Sequence, residues 1–126
     1  MTGEQILVVE DNEKNMKLFR DVLVATGFRT LEATTGGEAV DMASEHTPDL
    51  VLMDVQLPDL DGVQALHRLR EHPRTAAIPV LALTAQAMRG DDERFLAEGF
   101  DGYISKPVNV RELVGIVRQH CEGRVG

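Results

Sequence analysis

The chain has one cysteine, no tryptophan, a single tyrosine and a shortage of positive charge. Across 126 residues, 13 lysines and arginines face 21 aspartates and glutamates, for a formal net charge of -8. The lone Cys121 excludes an intrachain disulfide framework and suits a reducing compartment. An acidic surface repels phosphate backbones and anionic lipid, so neither nucleic acid nor membrane is expected as a partner. Long apolar runs are missing as well. The stretch Ile6 to Val9 is far too short to span a bilayer, and Met1 to Gln5 lacks the basic start of a signal peptide. These absences together point to the cytoplasm. His46, His67, His72 and His120 are scattered and show no zinc spacing. Gly36-Gly37 reads as a turn before a helix and lacks the further glycines and lysine of a P-loop.

What is present is the composition of one globular domain, with 43% hydrophobic and 27% charged residues. A chain of this length buries a core without staples. Three short runs are continuously apolar: Ile6 to Val9, Leu50 to Met53 and Val80 to Leu83. Such runs predict strands buried on both faces, the pattern of a parallel sheet. Phe28 to Ala33 and Gly102 to Ser105 mix in polar residues and suit sheet edges.

Helical spacing separates these strands. Met16, Phe19, Val22 and Leu23 share a face, and Gly27 is the stop signal. Thr35 and Glu38 have capping-box spacing before a second helix that Pro48 ends. Asp61 caps a third that carries Val63, Leu66 and Leu69. A fourth is predicted from roughly Gly90 to Glu98 with a stop at Gly99, and a fifth begins at Asn109 with Glu112 three residues on. The fold class is therefore α/β. It is a single doubly wound (βα)5 domain, flavodoxin-like, with parallel strand order 2-1-3-4-5, a core of roughly residues 5–121 and no effector domain.

In open α/β sheets ligands bind beyond the carboxyl ends of the strands. Strand 1 ends in Glu10-Asp11, strand 3 in Asp54, strand 4 in Thr84 and strand 5 in Lys106. Converging carboxylates repel one another unless a cation or proton intervenes, and a hard ion with oxygen ligands such as Mg²⁺ is the natural remedy. With Lys106 as a point charge and Thr84 as a hydroxyl donor, such an edge suits a phosphoryl group, and Asp54 is the candidate nucleophile.

At these residues the chain resembles the receiver domains of two-component response regulators, which are similar in fold to the chemotaxis protein CheY. The resemblance runs from Ile6 to His120. It is carried by Val9-Glu10-Asp11-Asn12, Leu52-Met53-Asp54-Val55-Gln56-Leu57-Pro58, Asp61-Gly62, Leu83-Thr84-Ala85 and Tyr103-Ile104-Ser105-Lys106-Pro107. The stand-alone length and the segment Glu10 to Phe19 resemble single-domain cell-cycle regulators of the DivK kind.

The resemblance implies Asp54 as phosphoacceptor, with Lys106 and Thr84 assisting. It implies Mg²⁺ held by Asp11, Asp54 and the backbone carbonyl of Gln56, with Glu10 acting through water, and a cis peptide between Lys106 and Pro107. It also implies a switch in which Thr84 moves toward the phosphoryl group and Tyr103 turns inward beside the small Ala85. That switch would reshape the face made by the fourth helix, strand 5 and the fifth helix. Gln56 and Gln86 occupy the two positions that tune phosphoryl lifetime. Glutamine is a poor general base, so slow to intermediate self-dephosphorylation is expected. The implied donor is a sensor histidine kinase or histidine phosphotransfer protein, and the implied output a downstream protein target contacted by a monomer or weak dimer. On this reading the chain is not an enzyme acting on external substrates.

Other readings stand beside this one. Asp54 could cap a turn, and Tyr103 could pack on an edge strand without switching. A haloacid-dehalogenase-like Mg²⁺-dependent phosphohydrolase also uses an aspartyl nucleophile, but wants a second aspartate where this chain has Gln56. A receiver-like binding module that is never phosphorylated and a receiver segment cut from a hybrid histidine kinase are the remaining alternatives.

Overall fold

The computed structural model describes residues 3–55, 57, 59, 61–84, 96–106 and 109–121, with the backbone of residue 122. Its elements, in chain order, are β1 (Gln5–Val9), α1 (Glu13–Thr26), β2 (Arg29–Ala33), α2 (Gly36–His46), β3 (Leu50–Asp54), α3 (Gly62–Glu71) and β4 (Val80–Thr84). A helical turn at residues 96–98, called α4 here, follows. β5 (Gly102–Ser105) and α5 (Val110–Glu122) complete the chain. The five strands pair in parallel in the order β2-β1-β3-β4-β5. The expected fold class and strand order are therefore the observed ones.

Alternation along the strands builds two cores. Leu7, Val9, Val51, Met53, Val80 and Ala82 face one way, against Ala39 and Ala43 of α2 and Ala65, Leu66 and Leu69 of α3. Ile6, Val8, Leu50, Leu52, Leu81 and Leu83 face the other way, against Met16, Phe19 and Leu23 of α1 and Leu113, Val117 and Cys121 of α5. Side chains along a strand alternate sides, so a continuously apolar run fills both layers at once. Each such fully buried large side chain contributes about 1.5–3 kcal/mol. Cys121 is a buried member of the second layer.

Helix ends follow the expected signals closely. Gly27 closes α1 in the left-handed conformation, at φ 106°. Asp61 and Gln64 form a reciprocal capping box on α3. The Asn109 side chain accepts from Glu112 N at 3.1 Å at the start of α5. At α2 the Thr35 hydroxyl accepts from Glu38 N, but Glu38 reaches back to Thr34 N, one residue earlier than a capping box requires. One expectation is corrected. Gly36 and Gly37 are the first helical residues of α2 rather than a turn before it. Their N–H groups lack helical partners, and the Asp59 carboxylate accepts both, at 2.7 and 3.0 Å. Of the fourth predicted helix, residues 90–95 lie outside the described residues. Gly99 ends it in the left-handed region as expected. Among the described residues no helix is long and apolar enough to cross a membrane.

Candidate functional site

Strand register decides which side chains meet at the carboxyl edge. Val9 pairs with Met53, so the next residue of each strand, Glu10 and Asp54, lie side by side. Thr84 pairs with Ser105, and Lys106 follows directly, its N–H donating to Thr84 O at 2.7 Å. Thr84 itself is buried at the end of β4.

The acids cluster as expected. Glu10, Asp11 and Asp54 each offer a carboxylate oxygen, and these oxygens lie within 4.8 Å of one another. Glu10 and Asp54 are buried, 1% and 5% exposed, while Asp11 is open to solvent. Two dry carboxylates side by side are costly unless a cation stands between them. Lys106 supplies one: its ammonium donates to both oxygens of Glu10 at 2.9 Å and to Asp54 Oδ2 at 3.1 Å. Sequence reasoning aimed Lys106 at phosphoryl oxygens and did not anticipate this double grip on Glu10.

The electrostatics are those of a site with surplus negative charge. Burial, and then hydrogen bonding with Asp54, push the Glu10 carboxyl from the usual 4.5 up to about 7, against the opposing pull of Lys106 and Asn15. For the Lys106 ammonium, burial is the largest influence and works downward. Its bonds to Glu10 and Asp54 and their charges together outweigh it, so the net direction is upward. The donor set is all oxygen, and one acid faces water. That suits Mg²⁺, which takes one or two carboxylates and keeps several waters. A cleft of about 440 Å³ between α1 and β2, lined by residues including Glu10, Asp11, Met16 and Thr34, opens beside the acids.

Backbone packing fixes where Asp54 sits. Gly62 N donates to Val55 O at 3.0 Å, folding the loop after β3 back onto the strand end. A Cβ on Gly62 would lie 2.6 Å from the Asp54 carbonyl oxygen and 2.7 Å from Val55 Cα, so only glycine fits without moving the backbone of Asp54. Asp59, within that loop, anchors it to α2. Neither role was foreseen, although Asp61-Gly62 was singled out as a motif. Asn15 was also missed: its side-chain amide donates to Glu10 Oε1 at 2.8 Å. The signal for it was placement, since it lies in the first turn of the helix that follows the acid pair.

Tyr103 sits on β5 with about a third of its surface exposed, 36%. Gln56, Ala85, Gln86 and Pro107, on which the carbonyl ligand, the lifetime positions and the cis peptide were expected, lie outside the described residues.

Known proteins resemble this chain in sequence and fold. The family model described as the response regulator receiver domain matches residues 6–118. A polar-differentiation response regulator DivK from Brucella ovis is 44% identical over 117 residues, covering 93% of this chain and 95% of its own. The receiver domain of a sensor histidine kinase from Pseudomonas aeruginosa superposes with a TM-score of 0.88 at 36% identity, over 96% of this chain and 99% of its own. Its crystal structure has a magnesium ion coordinated in the active-site cleft. A putative response regulator from Chloroflexus aurantiacus gives a TM-score of 0.90 at 30% identity, over 96% of this chain and 99% of the other.

Proposed function

The chain belongs to the response regulator receiver family, and from that premise we propose that it takes a phosphoryl group onto Asp54 from a phosphohistidine donor, with Mg²⁺ held by Asp11 and Asp54 and, through water, by Glu10. The observation that carries this reading is the convergence of three carboxylates and one ammonium at a single strand edge. Asp54 is the acceptor because it is the buried carboxylate of the central strand β3 and lies beside the acid pair within reach of Lys106.

In the transfer, an Asp54 carboxylate oxygen forms a bond to phosphorus as the bond from phosphorus to the donor imidazole nitrogen breaks. The electron pair leaves with the ring. Lys106 is positioned to pair with the equatorial oxygens as their charge redistributes. Burial keeps competing water from Asp54, and Asp11 offers the open side. Bound Mg²⁺ would supply neutralisation of the carboxylate and phosphoryl charges. Gln56 would add its carbonyl to the metal, and with Gln86 would set a slow to intermediate loss of the group.

The output is a population shift between two shapes. Thr84 closes on the phosphoryl group, Tyr103 turns inward from β5, and the face of α4, β5 and α5 presents a changed surface to a target protein. The exposed Leu96, Tyr103 and Val110 on these elements support that choice of face. The protein works in the cytoplasm as a signalling phosphoacceptor without turnover of external substrates.

The test is labelling with acetyl phosphate and Mg²⁺. Wild-type protein gains one phosphoryl group that decays over minutes or longer, and Asp54→Asn gains none while melting normally. Equal labelling of the two proteins rejects Asp54. Turnover of a generic phosphatase substrate would favour the phosphohydrolase.

A further inference from the structure

We propose that Asn15 is a positioning residue for this site, holding the Glu10 carboxylate in place from the first turn of α1. The inference rests on the reading of the acid edge as a Mg²⁺-assisted phosphoacceptor.

Glu10 Oε1 accepts from two donors that arrive on different elements. Asn15 Nδ2 comes from α1 at 2.8 Å, and Lys106 Nζ comes from beyond β5 at 2.9 Å. The two donors differ in kind. An ammonium is a point charge with freely rotating donors, so a carboxylate can pivot against it. An amide N–H has a fixed direction, and only the NH₂ end of an asparagine can bond to a carboxylate. Lys106 straddles both Glu10 oxygens, at 2.9 Å each, and leaves the carboxylate plane free to turn about that contact; Asn15, bonding to Oε1 alone from a second direction, fixes the turn. Such rotation matters most for an acid that meets a metal through water, because outer partners orient the groups that hold a metal.

The local fold leaves the Asn15 side chain free for this task. The cap of α1 uses the Asn15 backbone, whose N–H donates to Asn12 Oδ1 at 3.1 Å. The helix is fixed to the sheet by Met16, Phe19 and Leu23, which are buried. Removing the amide therefore removes one hydrogen bond to Glu10 and leaves both the cap and the packing in place.

The experiment compares wild type with Asn15→Ala and with Asn15→Leu, which keeps bulk but loses the donor. Two quantities are read: the dissociation constant for Mg²⁺ alone by calorimetry, and the Mg²⁺ dependence of labelling by acetyl phosphate. This donor docks no protein on α1, so a role of Asn15 in partner recognition cannot move the result. Both variants are expected to raise the Mg²⁺ dissociation constant and the half-saturating Mg²⁺ concentration about tenfold. The labelling rate at saturating Mg²⁺ should stay within about twofold of wild type, because Lys106 and Asp54 are untouched. An unchanged Mg²⁺ dependence overturns the proposal, whatever happens to the melting temperature. If wild type takes no phosphoryl group, the acceptor reading fails, and the calorimetric comparison still decides the role of Asn15.

Discussion

The two edges of the sheet use charge in opposite ways. At the amino edge, Arg70 from α3 donates to Ala76 O and Ile78 O at 3.1 and 2.6 Å, to Gly99 O at 3.2 Å and to Asp101 Oδ2 at 2.9 Å. Asp101 Oδ2 also accepts from Val80 N, and Asp49 takes Gln5 N, each at 2.8 Å. The charged groups named there bond to one another and to backbone at or just before the start of a strand. At the carboxyl edge three carboxylates cluster, and two of them, Glu10 and Asp54, share the Lys106 ammonium. The first arrangement ties segments together. The second concentrates charge that only a cation or proton relieves. The lesson is that balance, rather than the number of ionic groups, separates a structural edge from a reactive one.

The sharpest test of this contrast is Arg70→Ala. It removes the donor to three backbone carbonyls and one side of the Asp101 bonds, so stability should fall by about 2–3 kcal/mol. The loss should be the same with Mg²⁺ and with chelator, and acetyl phosphate labelling should be unchanged in the folded protein. A Mg²⁺-dependent loss in denaturant titrations would blur the distinction between the edges.

The pH dependence of stability probes the opposite edge. The Glu10 carboxyl titrates near 7 in the folded chain and at the usual 4.5 when unfolded. Below 4.5 both forms are protonated. As pH rises toward 7 the unfolded chain ionises first, so this group makes folding progressively less favourable, by roughly 3 kcal/mol at most, and the effect levels off above 7. Urea midpoints in chelator should therefore fall between pH 5 and 7.5, and saturating Mg²⁺ should flatten the slope. A midpoint that rises over that interval in chelator contradicts the placement of Glu10. Lys106 gives a slope of the same sign in a higher window: its raised pKa stabilises the fold below about 10.5, and that stabilisation is lost as pH climbs further.

The smallest expected effect is that of Asp11→Ala. Removing one exposed carboxylate from the cluster should raise metal-free stability by about 0.5–1 kcal/mol while weakening Mg²⁺ binding. A lower melting temperature in chelator would mean that Asp11 is already compensated, as the acids of the amino edge are.

How much of this was legible beforehand varied with the range of the interaction. Gly27, Asp61 with Gln64, and Asn109 with Glu112 act within one helical turn, and their residue types announce them. Glu10, Asp54, Thr84 and Lys106 could be placed at one edge because each follows an apolar run and parallel strands end on the same side. What could not be read is how side chains from different elements share a partner. Nothing local to Asp59 announces that it anchors the start of α2, and Gly36-Gly37 looked like a turn until that carboxylate was seen above it. Nothing local to Gly62 says that the backbone of Asp54 lies within 2.6 Å of where its Cβ would be.

The amino-acid order alone determined the element types, the strand order and the list of acids at the rim, because periodicity, caps and alternation are encoded over a few residues. Only the folded molecule decided that Lys106 grips Glu10 as well as Asp54, that Asn15 completes the hold, and that Arg70 pairs with Asp101 at the opposite edge. Those outcomes depend on strand register and on helix approach to within a fraction of an ångström, which the whole packed core sets at once.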